Sequence, residues 1–389
     1  MSSRSFPVRK FNGILFVILE ITQLFSLIAL TYRYDVGIRI TYYIFGGIGI
    51  LLLCTTFLQK RKYSRIDAIF ALLVIYIILL WIFFSSNFDT VIACTNFLLM
   101  VSVWYVDIDI KKHLKSLSFF TFAQGAVLLI TFFSNRAYAA FTKYTTYSDL
   151  LTLGIYNPNE TGMIVLYIIL LLILLYKYIH SKLLKSLYVI MTTFLLVLLY
   201  LTKARASILA ICFLFLGACT ESKFRSVKNR NILSVITICI PTVFPFVYML
   251  LFEKSIFSSS IILGKKLFSG RQRVYLATLD NWNNILFGNL NFFRFSNTHN
   301  AMLSIMVNIG IVGLFLFFVY TLSNLFYINK KIPKGKPVPM AYMIILCLFI
   351  VSIGESAILN GGNVFYCFFL MIIQLSNFEI GICRIEHND

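Results

Sequence analysis

Apolar runs of close to twenty residues follow one another along almost the whole chain, separated by short polar connections. A helix rises 1.5 Å per residue, so about 20 such residues cross the hydrocarbon core of a bilayer. The pattern predicts about twelve spanning helices, near 12–32, 38–58, 67–85, 90–106, 114–134, 159–177, 186–202, 205–220, 232–252, 300–327, 340–355 and 363–379. One long polar break interrupts the series, from Glu253 to His299. Within it, Ser269 to Leu286 reads as an amphipathic helix outside the membrane. Ser269 and Gln272 have capping-box spacing, and Tyr275, Leu279, Trp282 and Leu286 recur on one face. Long connections in helix-dominated chains are functional or disordered, and the aromatic content here argues against disorder.

Composition sharpens the class. Only 13% of residues are charged and the mean hydropathy is +0.86, whereas soluble domains average about 25% charged residues. The expected fold is an all-α, polytopic transmembrane bundle forming a single integral membrane domain over 1–389, with 253–299 as its large loop. The first segment follows Arg4, Arg9 and Lys10 and has no small-residue cleavage site, so it reads as a retained helix.

A net charge of +19 would suit a nucleic-acid partner, but its distribution argues otherwise. Most Lys and Arg fall on alternate connections: Lys60 to Arg65, Lys111 to Lys115, Lys177 to Lys185, Lys223 to Arg230 and Lys330 to Lys336. Positive charge in short connections marks the cytoplasmic side. Both termini are therefore expected in the cytoplasm and the 253–299 loop outside. Against that bias, the loop carries Lys254, Lys265, Lys266, Arg271, Arg273 and Arg294, and a tight outer turn carries Lys203 and Arg205. Outer cations that oppose the topology signal point to an anionic ligand.

Individual residues admit bland and sharp readings. His299 is the one histidine of four expected outside. It either bonds the first turn of the helix beginning at Asn300 or accepts a proton from a hydroxyl. Arg271 and Arg273 fall in a helical first turn, where cations oppose the dipole. They either pair with lipid phosphates or converge with free backbone N–H groups on a bound phosphate. Arg205 is either an interfacial anchor or an anion ligand beside Lys203. Asn157-Pro158-Asn159-Glu160 fits a helix start. Tyr138, Phe141, Tyr144 and Tyr147 form an interfacial belt or a surface for stacking sugars. Asp107-x-Asp109 resembles the metal-binding pair of nucleotide-sugar glycosyltransferases, but lies beside Lys111 and Lys112 on the cytoplasmic side and reads as a solvated loop. Glu20 stands out as the acidic candidate within a span. The cysteines lack metal-ligand or disulfide spacing and read as small hydrophobes.

Three of these features, in this order, resemble the O-antigen ligase and Wzy-type polysaccharide polymerase superfamily. They are the turn Lys203-Ala204-Arg205-Ala206-Ser207, the pair Gly270-Arg271, and Thr298-His299-Asn300 followed by Asn308-Ile309-Gly310-Ile311-Val312-Gly313. Asn157-Pro158-Asn159 also recurs in such proteins. The resemblance covers roughly 155–320. One departure is that Arg205 lies between two alanines, where the family commonly has Ser-Arg-Gly. The resemblance implies a fold like that of other lipid-linked-donor (GT-C-like) glycosyltransferases, in a bacterial plasma membrane. It also implies transfer of glycan from a polyprenyl diphosphate carrier on the outer face, without metal or other cofactor. His299, Arg271 and Arg205 would be catalytic, and Arg273, Lys203, Asn300 and Asn159 would bind substrate. The partners implied are the lipid-linked oligosaccharide, membrane lipid, a flippase and a chain-length regulator, with no nucleic acid. The reading is a repeat-unit polymerase for capsule, O-antigen or exopolysaccharide. A ligase for finished glycan shares donor and site, and a flippase or exporter is the rival from another class.

Overall fold

The computed structural model describes residues 6–58, 64–84, 88–134, 141–142, 150–155, 157–256, 260–263, 265–268, 270–289, 298–333, 335–355 and 364–385. Its helices are α1 (Phe6–Tyr32), α2 (Asp35–Leu58), α3 (Arg65–Phe84), α4 (Phe88–Ser102), α5 (Ile110–Phe133), α6 (Pro158–Leu175), α7 (Lys182–Thr202), α8 (Arg205–Cys219), α9 (Val227–Glu253), α10 (Arg271–Asp280), α11 (Ala301–Lys331), α12 (Met340–Val351) and α13 (Val364–Ile385). Two antiparallel ladders of two residues each accompany them, β1 (Phe141–Thr142) with β2 (Leu150–Leu151) and β3 (Ile261–Ile262) with β4 (Lys265–Lys266). Every apolar segment of the sequence emerges as a helix, and α10 lies in the polar loop. Among the described residues, α1, α2, α3, α5, α6, α7, α9 and α11 are long and apolar enough to cross a membrane. The architecture is that of a multi-pass helical membrane protein. The expected dozen full spans is too many by this measure. α8, with 15 residues, and α12, with 12, reach only about 22 and 18 Å.

The chain folds as two compact units that interleave in sequence. The first comprises Met1–Lys60, Ser102–Cys212 and Gly362–Glu379, and the second Arg61–Val101, Phe213–Gly361 and Ile380–Asp389.

In the first unit α1 packs on α2 and α5, and α6 on α5 and α7. The core is α6, buried from Thr161 to Leu172. Asn157 caps it by accepting from Asn159 N at 2.9 Å, and Pro158 fills the first position, where no N–H is needed. The Asp-x-Asp pair is not a solvated loop. Asp107 Oδ1 accepts from Arg9 Nε and Nη2 at 3.0 and 2.8 Å, while Asp109 pairs with Lys112 at 3.3 Å. Asp107 therefore clasps the start of α1 to the segment leading into α5, while Asp109 pairs locally. Nor is His113 merely solvated: its ring packs over Gly13 and edge-on to Phe16. Glu20 is fully buried in α1. It is not the sole buried acid of the helices, because Glu379 on α13 is buried too and pairs with Lys177.

In the second unit α9 packs against α10, α11 and α12, and α3 against α11. α12 is buried along its whole length from Ala341. Arg230, near the start of α9, is fully buried rather than a solvated topology marker. Its guanidinium donates to Phe224 O, Arg225 O, Asn329 O and Ile332 O, tying α9 to the end of α11. Two prolines, Pro241 and Pro245, lie inside α9.

Candidate functional site

The polar loop begins as an aromatic anchor on the end of α9. Tyr248 stacks edge-on with Phe268 and Tyr275, Phe252 with Phe268, and the Tyr248 hydroxyl donates to Leu267 O at 2.7 Å. α10 then starts after Gly270, whose φ of 91° suits glycine. Ser269, the expected cap, lies outside the described residues, as do Arg294, Tyr138, Tyr144, Tyr147 and His387. The helix ends at Asp280 rather than Leu286. An asparagine-rich turn stops it, because these side chains compete for backbone partners. Asn289 Oδ1 accepts from Asn283 N and Asn284 N, its Nδ2 donates to Asn281 O, and Asn284 Oδ1 accepts from Phe287 N. Tyr275 is buried as expected, while Leu286 is exposed.

That turn docks into a break in α11. Gly310 has φ 72° and ψ 178°, a conformation open essentially to glycine alone. Ile311 N and Val312 N donate to Ile285 O and Leu286 O at 3.0 and 3.3 Å, and Asn289 N to Val307 O at 2.8 Å. A Cβ on Gly310 would stand 2.0 Å from Leu286 O, and one on Gly288 2.3 Å from Asn308 O. The Ile309 carbonyl at the break accepts from the Tyr76 hydroxyl at 2.7 Å. Irregular backbone inside an apolar protein persists only where such partners satisfy it.

Both expected residues of the loop converge on a side chain that the sequence reading missed. Arg271 Nη2 lies 3.2 Å from Glu355 Oε1, and His299 Nδ1 lies 4.0 Å from Glu355 Oε2. The carboxylate is 7% exposed, Arg271 15% and His299 30%. One buried carboxylate thus bridges a guanidinium and an imidazole, with the imidazole at ion-pair rather than hydrogen-bonding range. Cations in the first turn of α10 called for an anion, and Glu355 is that anion, supplied by the chain itself. Its signal was a single acid after the apolar run 340–354, hidden because that run was read as a span ending at its edge.

Arg271 and Arg273 do not converge. Two residues on a helix are about 200° apart, and Arg273 is exposed while Arg271 turns to Glu355. Tyr275 is fully buried beside Arg271, and burial pushes its phenol up to about 12, against the opposing pull of the guanidinium. His299 itself has φ 52°, a left-handed conformation in which histidine is commoner than bulkier residues. Asn300 is structural. Its Oδ1 caps α11 by accepting from Leu303 N at 2.8 Å, and its Nδ2 donates to Pro241 O and Ile353 O. It is fully buried, so its contribution to a site is to hold His299.

The remaining expected residues gather at one end of the first unit. Lys203 caps α7 in a left-handed conformation (φ 51°) and Arg205 opens α8, both half-buried. The turn lies against α6. A Cβ on Gly162 would stand 2.2 Å from Ala204 Cβ and 3.0 Å from Thr202 Oγ1. Gly162 is what lets the turn at Ala204 seat against α6. Asn159, half-buried, lies one turn before Gly162. No three His, Cys, Asp or Glu side chains cluster as metal ligands among the described residues.

Comparison of the chain with protein-family models, with curated proteins and with solved structures finds no match in any of the three. The structure defines a class, a multi-pass helical membrane protein with a docked polar loop, and the comparisons add no family to it.

Proposed function

We propose that this protein is a polymerase of surface-polysaccharide repeat units, transferring glycan from a polyprenyl diphosphate carrier at the outer face of a bacterial plasma membrane. The observation that carries the reading is the buried Glu355 carboxylate shared by Arg271 and His299. A carboxylate at ion-pair range of an imidazole stabilises the imidazolium that forms when the ring takes a proton. With Nδ1 facing Glu355, Nε2 of His299 is the atom that accepts the proton from the attacking sugar hydroxyl. The new glycosidic C–O bond forms as the anomeric C–O bond to diphosphate breaks, and the electron pair leaves on the polyprenyl diphosphate. Diphosphate is a good leaving group, so its developing charge needs cations more than a proton donor. Arg273 is exposed and Arg271 retains N–H donors beyond the one on Glu355. The membrane-spanning helices suit a donor whose polyprenyl tail never leaves lipid.

Reconstitution of the purified protein with the lipid-linked repeat unit alone tests this reading. A ladder of multiples, lost in His299→Asn, is expected. Product only after a second acceptor is added would make the protein a ligase. Movement of the unit across the bilayer without a new glycosidic bond would make it a flippase and overturn the proposal. Reporter fusions near Ile261 should report an outer location.

A further inference from the structure

In the first unit the start of α1 and the start of α5 enclose a groove of about 500 Å³. Its wall on α1 is a single stripe, Lys10, Ile14, Val17 and Ile18, at helical spacing. Ile14 is 53% and Ile18 40% exposed, so apolar surface stands open beside an exposed lysine. The α5 wall contributes Asp109, Lys112 and His113. Gly13 forms part of the floor. Its missing side chain lets His113 close the groove, because a Cβ there would stand 2.7 Å from the imidazole Nε2.

The charges are graded. Arg9 is held by Asp107 through two hydrogen bonds. Lys112 pairs with Asp109 at 3.3 Å, but its side chain is 68% exposed, and exposed pairs contribute little. Lys10 is exposed and has no ion pair among the described residues. The lining thus carries Lys10 and Lys112 against Asp109 alone, because Arg9 and Asp107 neutralise each other. The apolar stretch of α1 begins at Val8, so Lys10 lies at its polar edge, and Ile14 and Ile18 follow one and two turns inward.

We propose that this groove is a binding site for an anionic diacyl phospholipid, whose phosphate sits between Lys10 and Lys112 and whose first acyl segment lies along Ile14, Val17 and Ile18. Basic pockets between helices at a membrane edge recognise such headgroups. The amide N–H groups at the start of α5 add partial positive charge toward the same phosphate. A free phosphate would use the cations but leave the isoleucines bare, and a zwitterionic lipid would cover the isoleucines but bring its own cation to the rim. The site is independent of the transferase reading.

Native mass spectrometry of the full-length protein, released from detergent with phosphatidylglycerol or phosphatidylcholine, tests the proposal. Wild type should retain one phosphatidylglycerol in preference to phosphatidylcholine, and millimolar inorganic phosphate should not displace it. Lys10→Ala/Lys112→Ala should weaken retention about thirtyfold, from a factor of about five per lysine. Lys111→Ala/Lys182→Ala removes two exposed charges outside the groove and should leave retention unchanged. Equal loss in both double variants, equal retention of the two lipids, or displacement by phosphate would each overturn the site. Both pairs are exposed, and a thermal melt of each variant distinguishes lost binding from lost fold.

Discussion

Asn300 Nδ2 donates to Pro241 O at 2.8 Å, and Pro241 O is the carbonyl whose helical partner would have been the N–H of residue 245. That residue is proline and has no N–H. Pro245 therefore leaves an orphan acceptor inside α9, and the capping asparagine of α11 fills it. The same amide reaches Ile353 O at 3.1 Å, two residues before Glu355. One side chain thus fixes the spacing between the backbone of His299 and that of Glu355. Asn300→Ala should lose a helix cap and leave two buried carbonyls unpaired, about 2–4 kcal/mol in all. Asn300→Asp retains the cap acceptor but turns a buried carboxylate oxygen onto both carbonyls, and should melt no higher than Asn300→Ala. An Asn300→Ala melt equal to wild type would remove this linkage from the site.

Glu355→Gln keeps shape and removes charge. Arg271, largely buried, would then face a neutral amide, and a broken buried pair costs about 3–5 kcal/mol in the worst case. On the proposed function, glycan transfer should fall by about 10²-fold or more, the scale of a disabled proton acceptor. Because Arg271 and His299 share the carboxylate, the effects of Arg271→Ala and Glu355→Gln on activity should not add. Strict additivity in a double-mutant cycle would mean that the contact is incidental to transfer.

His299 combines a backbone demand with the chemical role proposed for it, and substitutions can separate them. Its φ of 52° costs most side chains about 1 kcal/mol or more, while asparagine adopts it readily and glycine freely. His299→Asn and His299→Gly should therefore melt close to wild type and form no polymer. His299→Ala should add a loss of stability to the loss of activity. Polymer formed by His299→Gly in a strain lacking the native protein would show that the imidazole is dispensable.

The helices were legible because an apolar run of twenty residues leaves the chain few alternatives in lipid. The loop was legible as a break, and Arg271, His299 and Asn300 could be picked out within it by position and charge. Three features were not legible, each for a physical reason. Glu355 follows an apolar run, and no pattern in one dimension says that a residue 84 positions from Arg271 lies beside it. The helix from Arg271 was extended to Leu286 on its apolar period, although Asn281, Asn283 and Asn284 carry the side chains that stop helices. Gly310 looked like part of a glycine-rich helix, but its φ is a property of the docked turn, set by Leu286 and Gly288.

Gly310→Ala should therefore behave as a loop variant rather than a helix variant. The added Cβ would meet the Leu286 carbonyl and the Phe287 amide, both backbone atoms that cannot rotate away. The turn 285–289 should leave α11, exposing the loop to protease while the helices stay folded. Limited proteolysis followed by mass mapping reads this directly. Cleavage between Asn281 and Asn289 should accelerate at least tenfold, and an unchanged cleavage pattern would contradict the docking described here.

Gly162 makes the corresponding claim for the turn that carries Lys203 and Arg205. A methyl group there would overlap Ala204 Cβ at 2.2 Å and crowd Thr202 Oγ1 at 3.0 Å. Overpacking of this kind costs about 1–3 kcal/mol, and α6 is too deeply buried to yield. Gly162→Ala should push the turn outward and lower the melting temperature. The contact with Ala204 then supplies its own rescue. Gly162→Ala/Ala204→Gly moves the methyl from the turn to α6, relieves the larger overlap and leaves the smaller one at Thr202. The double variant should recover most of the lost stability although Ala204→Gly alone removes packing and destabilises. If the double variant melts below both single variants, the two positions are not in contact, and the glycine on α6 is not what seats Arg205.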